Sequence, residues 1–315
     1  MRGTTFWIGL LGVVIAGVLA TRIGVNEYYF FAGYVVLQFV VIATAWNILG
    51  GYAGYVNFGS AGFFAIGVYS SIALIKSFDL PLPLLILAGA LAAGTVGFAM
   101  GYLTLRLRGV YFAIATLALA IVLETVVANW GYVGGAAGTF VMRPRDVTFF
   151  NSYVEYLFVV MLLLAAVAVV IARTTELSRL GRGLRAIRDE EIAAECMGVP
   201  TLKLKLVAAT VSGALMGAAG APFSYYVTYV DPPSAFNLSF AVNAVAMPMI
   251  GGTATWIGPV IGALLLGSIQ QIATVTISSE LNLLIVGLML ITFVVLAPDG
   301  LVGLVRRLVS RARGH

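Results

Sequence analysis

Apolar residues in this chain come in runs of about twenty, the length a helix needs to cross the hydrocarbon core of a bilayer. The runs fall at about residues 5–21, 29–49, 56–76, 83–104, 109–130, 153–172, 206–226, 239–256, 258–277 and 281–298. Most are separated by short polar turns, and one polar segment is long, residues 173–205. The pattern predicts an all-α fold, a polytopic membrane helical bundle of about ten spans. It makes residues 1–315 a single domain, with 173–205 as a cytoplasmic loop within it. A bundle of about eight spans plus re-entrant segments fits as well, because removing a pair of spans leaves each charged cluster on its own side.

Charge position sets the orientation. Starting from a cytoplasmic N-terminus, alternation leaves Arg22, Lys76, Arg143 and Arg145 outside and every other Lys and Arg inside, so both termini are expected in the cytoplasm. The net charge of +5 therefore reflects membrane orientation and not nucleic-acid binding. With 61% hydrophobic and 10% charged residues and a mean hydropathy of +1.03, a soluble globular chain is excluded. The first run, behind Arg2, has the look of a signal peptide, but the Gly-rich membrane chain that follows favours an uncleaved span. The lone Cys196 allows no internal disulfide, and the lone His315 leaves no material for a metal site.

Glycines recur at small-residue spacings, Gly94 with Gly97 and Gly101, Gly213 with Gly217, Gly258 with Gly262, as expected where helices approach closely in lipid. Two stretches, Asn47–Ser60 and Ile250–Pro259, each hold a Gly pair, a polar or aromatic turn and a further glycine leading into a helix. Such breaks are tolerated where protein or a water-filled cavity solvates the backbone, which makes Gly251 and Gly252 candidate pathway positions. The outer loop from Gly131 to Tyr153 reads as a connector or as a contact for an external solute-delivering protein, and Asp231-Pro232-Pro233 as a second, stiffer edge. Glu124 is the charged residue placed well inside a span, where a carboxylate marks a pathway unless it reaches the interface near Trp130. Asn57, Ser60, Asn129 and Asn243 can face a passage or bond between helices. No nucleophile–base set and no phosphate-binding Gly-Lys-Ser/Thr motif occurs, so the chain is not expected to be an enzyme or to bind a cofactor, and any ATP must be bound by another subunit.

Within the polar segment, Arg182 to Met197 is free of proline, with Gly198 as a C-terminal cap and Pro200 beyond it. It predicts one isolated helix about 24 Å long. Arg182, Arg185 and Arg188 lie toward its N-terminal end and Asp189, Glu190, Glu191 and Glu195 toward its C-terminal end, the reverse of what its own dipole favours. Pairs such as Arg185 with Asp189 and Arg188 with Glu191 offset part of this. The rest points outside the helix, either to solvated orientation charges or to a soluble partner docked there.

Four stretches carry a family resemblance: Gly50-Gly51-Tyr52-x-Gly54 with Phe63–Tyr69; Leu105-Arg106-Leu107-Arg108-Gly109-Val110-Tyr111-Phe112; Gly181–Gly198; and Gly251-Gly252 with Gly258-Pro259-x-x-Gly262-Ala263. Together they resemble the permease subunits of branched-chain amino acid ABC importers, a group that includes urea and short-amide permeases. The resemblance implies a second permease of the same class or a second copy, two cytoplasmic ATPase subunits and an external binding protein. It also implies that Arg182, Gly183, Arg185, Arg188, Asp189, Glu190, Glu191, Glu195 and Gly198 couple to an ATPase. Related chains carry Ser-Leu/Phe-Gly-His/Gln where this one has Asn57-Phe58-Gly59-Ser60, so the solute is the least constrained feature, a small polar or zwitterionic solute being expected, a branched-chain or other neutral amino acid first. The alternative from the residues is an ion-gradient carrier or channel using Glu124.

Overall fold

The computed structural model describes residues 3–22, 26–78, 80–107, 109–144, 150, 152–276, 284, 287–292 and 300–304. In chain order its elements are α1 (Gly3–Ala20), α2 (Glu27–Ala53), α3 (Ser60–Ser77), α4 (Leu82–Thr104), α5 (Val110–Ala128), β1 (Thr139–Phe140), α6 (Tyr153–Leu177), α7 (Arg179–Asp189), α8 (Glu191–Cys196), α9 (Thr201–Gly220), α10 (Phe223–Val227), β2 (Tyr229–Val230), α11 (Pro232–Ala235), α12 (Leu238–Gly251) and α13 (Ile257–Thr276). Among the described residues nine segments are helical, long and apolar enough to cross a membrane, which makes this an all-α polytopic bundle. The tenth expected span, 281–298, lies for the most part outside the described residues, as do Arg2, Arg108, Arg145 and the basic positions from Arg306 to Arg313.

The longest helix is also the centre. Asn26 opens α2 by accepting the Tyr28 amide at 3.0 Å, and Gly54, at φ +77°, closes it by returning its own amide to the Gly50 carbonyl. From Gln38 to Ala53 every residue is buried, with α6, α9, α12 and α13 packed around. At the other extreme, α1 buries Phe6 alone. The expected glycine spacings form the α4–α9 seam: a methyl on Gly97 or Gly213 would lie 2.9 Å from the carbonyl oxygen of Ala209 or Ala93. One on Gly217 would overlap the Ala93 methyl and the Gly89 carbonyl. Without water to drive apolar burial, this close backbone approach supplies much of the association. Asn243 is used between helices, accepting from Gln270 at 2.8 Å across α12 and α13.

At one end of the bundle the loops after α5 and α10 are joined, so the Gly-rich stretch is part of a β-ribbon. Two 3-10 turns, Gly131–Val133 and Gly135–Ala137, lead into β1, which pairs antiparallel with β2 through Thr139 with Val230 and Phe140 with Tyr229. Gly138 has φ +74°, and a side chain there would meet the Val230 carbonyl oxygen at 2.6 Å, so glycine is required. Arg143 donates from Nε and Nη2 to the Tyr225 and Tyr226 carbonyls, both at 2.7 Å, closing the end of α10.

Candidate functional site

The polar segment folds as two short helices and not as the single rod expected over Arg182–Met197. The break is Glu190, extended at φ −161° and ψ 109°, between α7 and α8. Ser178 caps α7 by accepting the Gly181 amide at 3.3 Å, and Leu184 and Ile187 bury its apolar stripe. At the far end Val199 N–H returns to the Ala194 carbonyl and Gly198 N–H to that of Glu195, with Gly198 at φ +83°, the expected left-handed cap. Gly183 leaves room for Leu204 of α9 against α7. Glu195 accepts from the Thr201 hydroxyl at 2.6 Å and ties the end of α8 to the start of α9.

The inverted charge order has a cause inside the chain. A helix leaves its last four carbonyls without partners, and they carry the negative end of its dipole. Arg188 Nη1 donates to the Gly51 carbonyl at 2.7 Å, in the last turn of α2. Arg185 Nη2 donates to the Glu176 carbonyl at 3.0 Å and Arg182 Nη1 to that of Leu177 at 3.5 Å, both in the last turn of α6. The arginines therefore complement the C-terminal ends of two other helices. Outward from this end face Asp189 and Glu190 together with exposed Ile192 and Met197, the latter 85% exposed.

Lys205 corrects a second expectation. Placed by its charge in a solvated loop, it lies one turn inside α9 and is 2% exposed. Its three ammonium hydrogens are matched by three acceptors: Glu191 Oε1 at 2.7 Å, the Leu105 carbonyl at 2.9 Å and the Tyr55 hydroxyl at 3.0 Å. Tyr55 in turn donates to Glu191 Oε2 and sets its ring 4.6 Å from the ammonium. Four segments meet at this point: the α2–α3 turn, the end of α4, α8 and α9. Tyr55, Lys205 and Glu176 were not among the residues singled out from the sequence. Reading Pro200-Thr201 as a helix start would have put Lys205 on the same face as Ala208, Ala209 and Ser212, all buried, and so revealed it.

The six candidate pathway residues are not brought together. Asn57 and Ser60 are buried in the turn that starts α3. Asn57 Oδ1 accepts the Gly59 amide at 2.8 Å, its carbonyl takes the Trp46 indole at 2.8 Å, and Ser60 reaches the same carbonyl at 3.3 Å. Glu124 is half-buried one turn before the end of α5, and Asn129 is exposed just beyond that helix. Gly251 and Gly252 form the second break, where Gly251 packs directly on Gly258. That break is held to α6 by the Trp256 amide, which donates to Glu176 Oε2 at 2.7 Å. Beside it Phe6 of α1 sits with its ring 3.8 Å from the Arg173 guanidinium and edge-on to Trp256. The first glycine break adjoins α7 through Arg188, and the second lies at the end of α6, whose Glu176 carbonyl takes Arg185 of α7. The turn after α2 also walls a cleft of about 440 Å³, lined by Tyr55, Val56 and Phe58 on one side and Val110 and Ala113 on the other.

The family described as branched-chain amino acid transport system / permease component matches residues 28–294. The chain belongs to this family. Among its relatives, LivM of Escherichia coli (strain K12), a high-affinity branched-chain amino acid transport system permease protein, is 26% identical over 293 residues, covering 85% of this chain and 68% of that one. LivM of Salmonella typhimurium is 25% identical over the same length. LsrC of Yersinia enterocolitica, an autoinducer 2 import system permease protein, is 26% identical over 182 residues, 56% of this chain and 49% of that one. No solved structure gives a significant match. The permease is accordingly a multi-pass transport subunit of the inner membrane, of the ABC importer class, and not an enzyme. The matched region takes in α7, α8, both glycine breaks and the Lys205 cluster, and leaves α1 outside it.

Proposed function

We propose that the permease moves a small neutral amino acid, branched-chain ones foremost, inward by alternating access, and that a separate ATPase drives it through the α7–α8 segment. The observation that carries this is the outward face of α8. Ile192, at 56% exposure, and Met197, at 85%, stand with the exposed Asp189 and Glu190 in a segment whose helices are too short to span a bilayer. Exposed apolar side chains on a polar, non-spanning segment are what a docked protein covers. The end bearing α7 and α8 then faces the cytoplasm, in keeping with the basic residues gathered there. Two ATPase subunits, a second permease or second copy, and an external solute-binding protein complete the transporter, the binding protein delivering solute at the opposite end near the β1–β2 ribbon. The cleft beside Tyr55, with Val56, Phe58, Val110 and Ala113 around it, suits a solute with an aliphatic side chain.

The test is purification of the permease with the ATPases co-expressed. The native chain should bring stoichiometric ATP-binding subunits with it, and Ile192→Glu with Met197→Glu should lose them while the permease itself melts at the native temperature. ATPases retained at full yield by the double variant would refute the docking surface. Uptake of labelled leucine, but not urea, by vesicles carrying the full set would support the solute class, and the reverse preference would overturn it.

A further inference from the structure

The cluster around Lys205 joins the coupling segment to the wall of the cleft. We infer that Tyr55, Glu191 and Lys205 form a latch that makes the α2–α3 turn follow α8, so that cleft width is set by the position of the coupling segment. This rests on the proposed ATPase drive and adds to it the residues that carry the motion.

Three observations support it. First, α7 and α8 are held by different parts of the molecule. Arg188 of α7 grips the Gly51 carbonyl, in the buried last turn of α2. The carboxylate of Glu191, the first residue of α8, instead meets Tyr55 and Lys205, and the extended Glu190 separates the two helices, the point at which α8 would turn relative to α7. Second, Tyr55 belongs to the non-helical stretch between Gly54 and Gly59, which lines the cleft. A shift of Tyr55 is a shift of the wall, with Phe112 of α5 edge-on to its ring at 5.2 Å on the other side. Third, the cluster resists being pulled apart. Withdrawing Glu191 alone would leave the Lys205 ammonium buried at 2% exposure without this carboxylate, and would break the Tyr55–Glu191 hydrogen bond at once. The lysine, bonded also to the Leu105 carbonyl, ties both partners to α9 and the end of α4. The three groups therefore travel together.

Tyr55→Phe is the decisive variant, because it keeps the ring, its contact with Phe112 and the Lys205–Glu191 pair, and removes the hydroxyl's bonds to Glu191 and Lys205. The readout needs no knowledge of the solute: Val56, 38% exposed beside Tyr55, is replaced by Cys in a Cys196→Ala background, and its labelling by a maleimide is timed in the complete transporter with and without ATP plus vanadate. With Tyr55 present the nucleotide should change the labelling rate at least fivefold. With Tyr55→Phe the change should fall below twofold while ATPase subunits still co-purify and ATP hydrolysis persists. Lys205→Met should behave the same way where it accumulates. A nucleotide response that survives Tyr55→Phe overturns the latch. So does a Tyr55 protein whose labelling ignores nucleotide although its ATPases are bound and active, which leaves the ATPase drive standing. Failure of the unaltered chain to bring down any ATPase overturns the drive itself and the latch with it.

Discussion

Replacing Gly217 by Ala tests how the bundle is held together. A methyl at this position would lie roughly 1 Å inside ordinary carbon contact with the Ala93 Cβ and would also overlap the Gly89 carbonyl. Both neighbours are backbone or the first carbon of a side chain, so no rotamer can yield and α4 must part from α9. Overpacking of this kind costs about 1–3 kcal/mol. Parting the helices also loosens the contacts that Gly94, Gly97 and Gly213 make along the same seam. Against this, Ala in place of a mid-helix Gly returns about 1 kcal/mol of backbone entropy. The two together leave a loss of up to about 2 kcal/mol, to which the loosened seam adds. Gly12 in α1 supplies the control, since nothing lies within 4 Å of a methyl there and Gly12→Ala keeps the helical gain unopposed. Gly94→Ala, 3.3 Å from the Ala214 Cβ, should fall between the two. Thermal midpoints of the purified protein in detergent, followed by fluorescence size-exclusion, should order the variants Gly217, Gly94, Gly12 from lowest to highest. Indistinguishable midpoints for Gly217→Ala and Gly12→Ala would refute the claim that backbone approach, and not helix propensity, decides stability along this seam.

Three further expectations follow from single contacts. Arg188→Ala strands the Gly51 carbonyl at the end of α2 and should cost about 1–3 kcal/mol, read as a lower midpoint that Arg188→Lys partly restores. Phe6→Ala removes the one buried side chain of α1 together with its contact to Arg173; the bundle should stay folded while limited proteolysis between α1 and α2 speeds several-fold, and an unchanged cleavage rate would show that α1 is held elsewhere. Gly138→Ala, strained by its positive φ and blocked by the Val230 carbonyl, should open the β1–β2 ribbon. Hydrogen exchange checks it, since the Val141 amide, bonded to Thr228 at 2.7 Å, should lose its protection.

What the sequence disclosed and what it withheld divide along a physical line. The bilayer imposes a length on every apolar run, so the runs at 29–49 and 153–172 lead directly to α2 and α6, although each helix outruns its apolar core by several residues. Glycine spacing was legible for the same reason: in lipid, close approach is the main source of association, and Gly213 with Gly217 has little else to do. Charge was misleading because its sign has two unrelated uses. A hydropathy argument takes Lys205 as the edge of a span, yet the ammonium is buried, its three hydrogens satisfied and its charge answered by Glu191. The same ambiguity attends Arg182, Arg185 and Arg188. An inverted dipole pattern says only that an external negative charge is being answered, and the carbonyl ends of α2 and α6 supply it as well as any partner could. Apolar residues in the polar segment carry the sharper information. Leu184, Ile187 and Ala194 found burial within the chain, while Ile192 and Met197 did not. A side chain that water disfavours and the fold leaves uncovered asks for a partner more specifically than an arginine does, because an arginine is content with a helix terminus, a carboxylate or solvent.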